Sequence, residues 1–401
     1  MDLTLPASLI TPQTILVKRD ARREIGALLR QQGLGRPLLV SDATMEALGF
    51  VDDALAPLIS EGLATAKVLV ADRHEPTDES IAPVVTALRE HEADALIALG
   101  GGSVIDSAKA AALLYAHGGA IPDYRFPAPI PAGGVPVFAV PTTAGTGSEA
   151  TAATVITHVA SGEKLLLMGP NLVPEAAIVD YTLSMSQPQR LTADTGLDAL
   201  THAIEAFVSR KATNDTGAVA AQAMRAIYGN LKKAYTDGED EHARREMMRG
   251  ATLAGIAFSN ASVALVHGMS RPIGARFHVP HGLSNAMLLP AVTAFSLNDA
   301  TSEYAQCARI MGIAADDLDD EQAGEALAEA LHRLGTELQV PSLEAFGIRR
   351  DEFMAAVDDM AAQALASGSP ANNPRQASDE EIARLYRMIF DRAPLRDIYH
   401  L

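Results

Sequence analysis

The chain changes character once, near residue 188, and that change limits the folds open to it. Before it, short apolar runs at 37–40, 66–70, 95–99 and 135–140 read as strands, with stretches of helical period between them, such as 20–32 and 80–91. Alternation of this kind builds a parallel sheet with helices on both faces. After it the strands stop. The sequence becomes rich in Ala, Leu, Met and Glu, with helical periods over 194–208, 216–234, 241–259, 321–334, 350–364 and 379–390. The expected architecture is an α/β N-terminal domain with a Rossmann-like parallel sheet, residues 1–188, followed by an all-α C-terminal domain, residues 189–401.

Composition narrows the function classes. Lys and Arg number 32 against 50 Asp and Glu, a net charge of -18, which disfavours a nucleic-acid or anionic-membrane surface as partner. No run of apolar residues is long enough for a membrane span, and no basic-then-apolar leader opens the chain, so a cytoplasmic protein is expected. The single cysteine, Cys307, excludes an internal disulfide framework and reads as a small packed apolar residue.

Two glycine-rich turns follow strand-like runs, where a sheet of this kind binds ligands. Gly100-Gly101-Gly102-Ser103 follows the run 95–99 and opens a helix containing Asp106 and Lys109. Glycine lets backbone approach a phosphate closely, and a helix N-terminus offers free N–H groups. The turn does not match Gly-x-Gly-x-x-Gly, and alone it reads equally as a structural turn. The second, from Pro141 to Glu149, carries the hydroxyls of Thr142, Thr143 and Thr146. Asp42 ends the run 37–40, where a carboxylate can accept from an adenosine ribose and repel a 2′-phosphate, favouring NAD over NADP. The competing reading of Asp42 is a turn-forming residue.

In the second half, Asp198 and His202 stand four residues apart, on one helical face. At this spacing a surface pair is the commoner outcome. His267 and His281 are 14 residues apart, roughly 21 Å along one helix at ~1.5 Å per residue, too far to share an ion unless the chain turns back. Pro272, Gly274, Pro280 and Gly282 supply candidate breaks. Asp198, His202, His267 and His281 could then converge as one oxygen and three nitrogen ligands, a set that suits Fe(II), Zn(II) or Mn(II) better than Mg or Ca.

Both stretches, with their spacings of four and then fourteen, resemble those of the iron-dependent, group III alcohol dehydrogenases, and the resemblance runs from about Gln13 to Leu385. It implies that Asp198, His202, His267 and His281 hold the catalytic metal, usually iron. It also implies that Gly101, Gly102 and Ser103 hold the cofactor pyrophosphate, and that Asp106 sits near the nicotinamide carboxamide. Thr142, Thr143 and Thr146 would lie along the adenine and phosphate side, and Lys164 near the nicotinamide ribose. The activity implied is hydride transfer between NAD(H) and a metal-bound short alcohol or aldehyde, in the cleft between the domains of a homodimeric enzyme. The residues expected to face substrate are His281, Arg271 and His278.

Arg271 departs from the family pattern. Many members carry a histidine there, in a His-Pro-Leu-Gly context, where this chain reads Arg271-Pro272-Ile273-Gly274. A guanidinium cannot relay protons at neutral pH, but it can clamp a carboxylate, sulfonate or phosphonate. An aldehyde with an anionic end group is therefore expected; pairing of Arg271 with an acidic neighbour or the cofactor phosphate is the competing reading. His278, three residues before His281, reads as a proton relay or a packed core residue, with a fifth metal ligand as the further alternative. The run His267-Gly-Met-Ser with Pro272-Ile273 also resembles the hydroxyacid–oxoacid transhydrogenase subgroup, in which the cofactor stays bound. That chemistry is the alternative reading.

Overall fold

A computed structural model of the chain describes residues 9–70 and 76–401, so part of the N-terminal stretch read as lacking a leader lies outside the described residues. The chain divides into two compact units, Ile10–Gln187 and Pro188–Leu401.

The first unit holds strands β1 Thr14–Val17, β2 Pro37–Asp42, β3 Ala66–Val70, β4 Ala95–Gly100, β5 Val137–Pro141, β6 Ala153–His158, β7 Glu163–Met168 and β8 Ala176–Val179. Six form one parallel sheet in the order β1-β8-β5-β4-β2-β3, and β6 and β7 pair separately as an antiparallel hairpin. The sequence alternation explains why both faces are covered. Leu38, Val40, Leu96, Ala98, Val137 and Ala139 pack into one core with Ile81, Val84, Val104 and Ile105. Their neighbours Leu39, Ile97, Leu99, Phe138 and Val140 pack into the other with Ile25, Leu29, Val51 and Leu58. Successive side chains of a strand point to opposite faces, so a strand apolar at every position needs helices on both.

From β2 the chain passes to β3 on one side and then returns to β4 on the other. The direction of winding therefore reverses between β2 and β4. In open α/β sheets ligands bind outside the carboxyl ends of the strands at such a point. Asp42 ends β2 and Gly100 ends β4.

The second unit is helical. Gln189–Val208, Asn214–Thr236 and Glu241–Asn260 pack on one another, followed by Leu265–Phe277, His281–Ser296 and shorter helices to the C-terminus. Gly196 lies inside the first of these, where a Cβ would come within 2.3 Å of Leu231 and 2.9 Å of Met247. Any larger residue there would have to push these two side-chain ends aside. Pro272 and Gly274, expected as breaks, lie inside Leu265–Phe277, and Gly282 lies inside the next helix. The chain turns instead at His278, whose backbone is left-handed (φ 56°), and at Pro280, which precedes the first turn of His281–Ser296. Among the described residues no single helix is long and apolar enough to cross a membrane.

Candidate active site

The turn after β4 is built by contact with the turn after β5. The Thr142 amide donates to the Gly100 carbonyl at 3.0 Å. A Cβ on Gly102 would stand 2.8 Å from the Thr146 side chain, so only glycine fits there. Gly101 directly precedes the helix Gly102–His117, and Ser103 lies in its first turn. Three of the threonines named from the sequence thus meet the glycine turn: Thr142 buried behind it, Thr143 within 3.7 Å of a Cβ on Gly101, and Thr146 against Gly102. The result is a backbone cradle at a helix N-terminus, of the kind that binds phosphate.

Asp106 and Lys109, further along that helix, brace the cradle from behind. The Asp106 carboxylate accepts from the Ser148 hydroxyl and, at 2.9 Å, from the Val155 amide. Burial pushes its carboxyl above the ordinary value, against the opposing pull of Lys109 and these hydrogen bonds. The Lys109 ammonium donates to Ser148 Oγ at 3.2 Å, Thr151 Oγ1 at 2.9 Å and the carbonyls of Thr151 and Ala153 at 3.0 Å. Burial lowers its pKa to about 8, with Asp106 and Glu149 opposing the shift. Lys164 lies exposed on β7, opposite Thr157 in the hairpin register. Asp42 accepts the Met45 amide at 2.9 Å and so caps the short helix Ala43–Ala47. The turn-forming role is therefore present, whatever else the carboxylate contacts.

In the helical unit, Asp198, His202 and Glu205 occupy one face of Gln189–Val208, and all three are buried. His267 lies near the start of Leu265–Phe277, and His281 opens His281–Ser296. Ligand atoms of Asp198, His202, His267 and His281 all come within 4.8 Å of one another; His281 is the exposed member of the four. The His202 ring stacks on His267 at 4.5 Å between centroids and on Phe258 at 4.2 Å. Asp198 Oδ1 stands 3.7 Å from Nε2 of both His267 and His281. Burial raises the Asp198 carboxyl, but the three imidazoles and the Asn285 amide outweigh it and hold the group below the usual carboxylate range.

Gly282 makes this convergence possible. A Cβ there would lie 2.4 Å from the Asp194 carbonyl oxygen and 3.2 Å from Asp198 Cβ, so glycine lets the helix carrying His281 close onto the helix carrying Asp198. The donor set, one carboxylate and three imidazoles, fits a divalent transition metal.

Glu205 was given no role by the sequence reading, although it falls on the same face as Asp198 and His202. Its carboxylate accepts from the amides of Ala264 at 2.8 Å and Val266 at 2.6 Å, and lies 2.6 Å from His267 Nδ1. A carboxylate there keeps the proton on Nδ1 and leaves the Nε2 lone pair facing the cluster, as ligating histidines require. The spacing Asp-x3-His-x2-Glu was the available signal.

The structure does not bring every expected residue into this group. His278 is exposed at the end of Leu265–Phe277 and is not one of the converging ligands, so the packed-residue reading is corrected. A left-handed C-cap places its side chain outside the helix contacts. Arg271 follows His267 by one turn and is partly buried. It makes no hydrogen bond or ion pair among the described residues. Burial lowers its pKa, opposed by the charge of Glu205.

Residues 12–181 match the family model described as iron-containing alcohol dehydrogenase, and residues 192–390 match the C-terminal model of the Fe-containing alcohol dehydrogenase family. The chain is 35% identical over 377 residues to an NAD-dependent methanol dehydrogenase of Bacillus methanolicus, covering 94% of this chain and 98% of the relative. A crystal structure of 1,3-propanediol oxidoreductase superposes with a TM-score of 0.91 at 31% identity, covering 96% of this chain and 100% of that one. A sulfoacetaldehyde reductase from Bifidobacterium kashiwanohense, solved in complex with NAD+, superposes with a TM-score of 0.87 at 25% identity, covering 96% and 99%. The chain belongs to the iron-containing alcohol dehydrogenase family.

Proposed function

We propose that this oxidoreductase is a metal-dependent NAD(H) alcohol dehydrogenase or aldehyde reductase acting on short substrates, with Fe(II) at Asp198, His202, His267 and His281. The observation that carries the reading is the convergence of these ligands in one unit while the other carries a phosphate cradle at its sheet's switch point. A divalent cation held there supplies Lewis-acid polarisation of a carbonyl; Zn or Mn would satisfy the same donors.

The chain's own residues do the rest. Gly101, Gly102 and Ser103 offer backbone N–H groups to the pyrophosphate, with Thr142, Thr143 and Thr146 alongside. Asp106 and Lys164 serve the nicotinamide side. Asp42 accepts from the adenosine ribose, which favours NAD. A nicotinamide held by these residues would supply hydride to a carbonyl carbon, and His281, the exposed ligand, leaves the site open to solvent, from which the product alcohol would take its proton. Placement in the cytoplasm and assembly as a homodimer belong to the same proposal.

Arg271 sets the substrate class. A partly buried guanidinium with no ion-pair partner among the described residues, one turn beyond a metal ligand, suits an anionic end group on the aldehyde. The sulfoacetaldehyde reductase similarity points the same way. The test is steady-state NADH oxidation by Fe(II)-loaded parent and Arg271→Ala on aldehydes differing only in a terminal anion. We expect Arg271→Ala to lose about 2–3 kcal/mol of kcat/KM on the anionic member, from a charge-assisted bond, and little on the neutral one. Equal losses on both would overturn the clamp and leave the dehydrogenase. Turnover that ignores free NADH would instead favour the transhydrogenase chemistry.

A further inference from the structure

Asn285 lies on His281–Ser296, four residues after His281, and is fully buried. Three of the four proposed ligands meet at its side-chain nitrogen. Nδ2 is 2.7 Å from Asp198 Oδ1, 3.1 Å from His267 Nε2 and 3.3 Å from His281 Nε2. Since Glu205 holds the His267 proton on Nδ1, the Nε2 facing Asn285 is an acceptor, and the amide N–H groups donate to it and to Asp198. Reversing the amide would set a carbonyl oxygen against the Asp198 carboxylate, so the acceptors dictate its orientation.

That orientation leaves Asn285 Oδ1 buried with no hydrogen-bond partner. An orphaned acceptor is unfavourable, and an apolar side chain of the same size would avoid it. Packing alone therefore does not account for an asparagine here. What the residue gains is a donor aimed at the ligand atoms.

We propose that Asn285 is a positioning residue of the cation site, whose amide holds the Asp198 carboxylate in ligand geometry. By occupying one lone pair of Asp198 Oδ1, it restricts how that carboxylate can turn toward a cation. With no cation bound, its second N–H lies against His267 Nε2, a contact that a bound cation would replace. The inference rests on the metal-site reading above.

The test is a Co(II) titration of chelator-stripped protein, followed by visible absorption, for the parent, Asn285→Leu and Asn285→Ala. The two variants share the loss of the donor but differ in volume, and alanine covers the case in which leucine prevents folding. We expect both to bind Co(II) on the order of 10–100-fold more weakly, as loss of an outer hydrogen bond to a ligand does, with the visible bands at saturation displaced from the parent's. Parent-like affinity and bands in either folded variant would overturn the proposal, as would losses that follow side-chain volume. Failure of the parent itself to bind Co(II) would overturn the metal site as well, whereas a binding parent with unaffected variants would remove the role of Asn285 alone.

Discussion

At the residue scale, single side chains serve more than one purpose, and the tests have to separate them. Asp42 caps the helix Ala43–Ala47 through Met45, so replacing it with glycine would disturb the cap and the proposed ribose contact together. Asparagine caps helices about as well as aspartate but carries no charge. Asp42→Asn should therefore leave the melting temperature unchanged while raising the NADPH to NADH ratio of kcat/KM about tenfold, equivalent to ~1.4 kcal/mol of removed repulsion. An unchanged ratio would restrict Asp42 to capping. The same scale shows why parts of the site were hidden in the sequence. Asp198, His202, His267 and His281 are chemically conspicuous, so their types and spacing were readable. Glu205 had a local signal in its place on the helical face of Asp198 and His202, but its contact with His267 spans 62 residues and that of Asn285 with Asp198 spans 87, and local sequence does not show such contacts. Arg271 was visible as a departure from the family pattern, but its lack of an ion-pair partner was not.

At the element scale, helix contacts decide whether the ligands meet. The helix carrying His281 can approach the helix carrying Asp198 because position 282 has no side chain; a Cβ would be 2.4 Å from a backbone oxygen that cannot swing aside. Gly282→Ala should destabilise the protein by about 1–3 kcal/mol, the usual cost of overpacking, and weaken Co(II) binding on the order of tenfold or more, comparable to losing a ligand-orienting contact. Calorimetry and the cobalt titration would check the two effects separately. Parent-like metal affinity would mean that the helices can re-pack without moving the ligands. Strong periodicity made β2, β3, β4 and β5 readable, along with the long helices from 189 onward. Strands β1 and β8, four residues each, are too short for a period of two to stand out. The helices holding His267 and His281 were obscured by prolines and glycines, because local propensity cannot show that tertiary packing will keep Pro272 inside a helix.

At the scale of the molecule, buried titratable groups shape the response to pH. The folded pKa of Lys109, about 8, lies below its ordinary value of 10.5. Between these values the unfolded chain binds the proton that the folded chain has released, so stability rises with pH across that window. Above pH ~9 the buried thiol of Cys307, and above pH ~10 the buried tyrosines Tyr304 and Tyr386, work in the opposite direction, since burial raises all three and the folded chain then holds more protons. Thermal melts should therefore show a rise between pH 8 and about 9 that is absent in Lys109→Met. A slope that survives the substitution would place its origin elsewhere. The measurement that bears most directly on the whole account is deuterium transfer from 4-deuterated NADH to a short anionic aldehyde by chelator-stripped protein, under anaerobic conditions, with and without Fe(II). The account predicts deuterium on the carbinol carbon only when Fe(II) is present. Deuterated product at the same rate without metal, or none with Fe(II), Zn(II) or Mn(II), would contradict it.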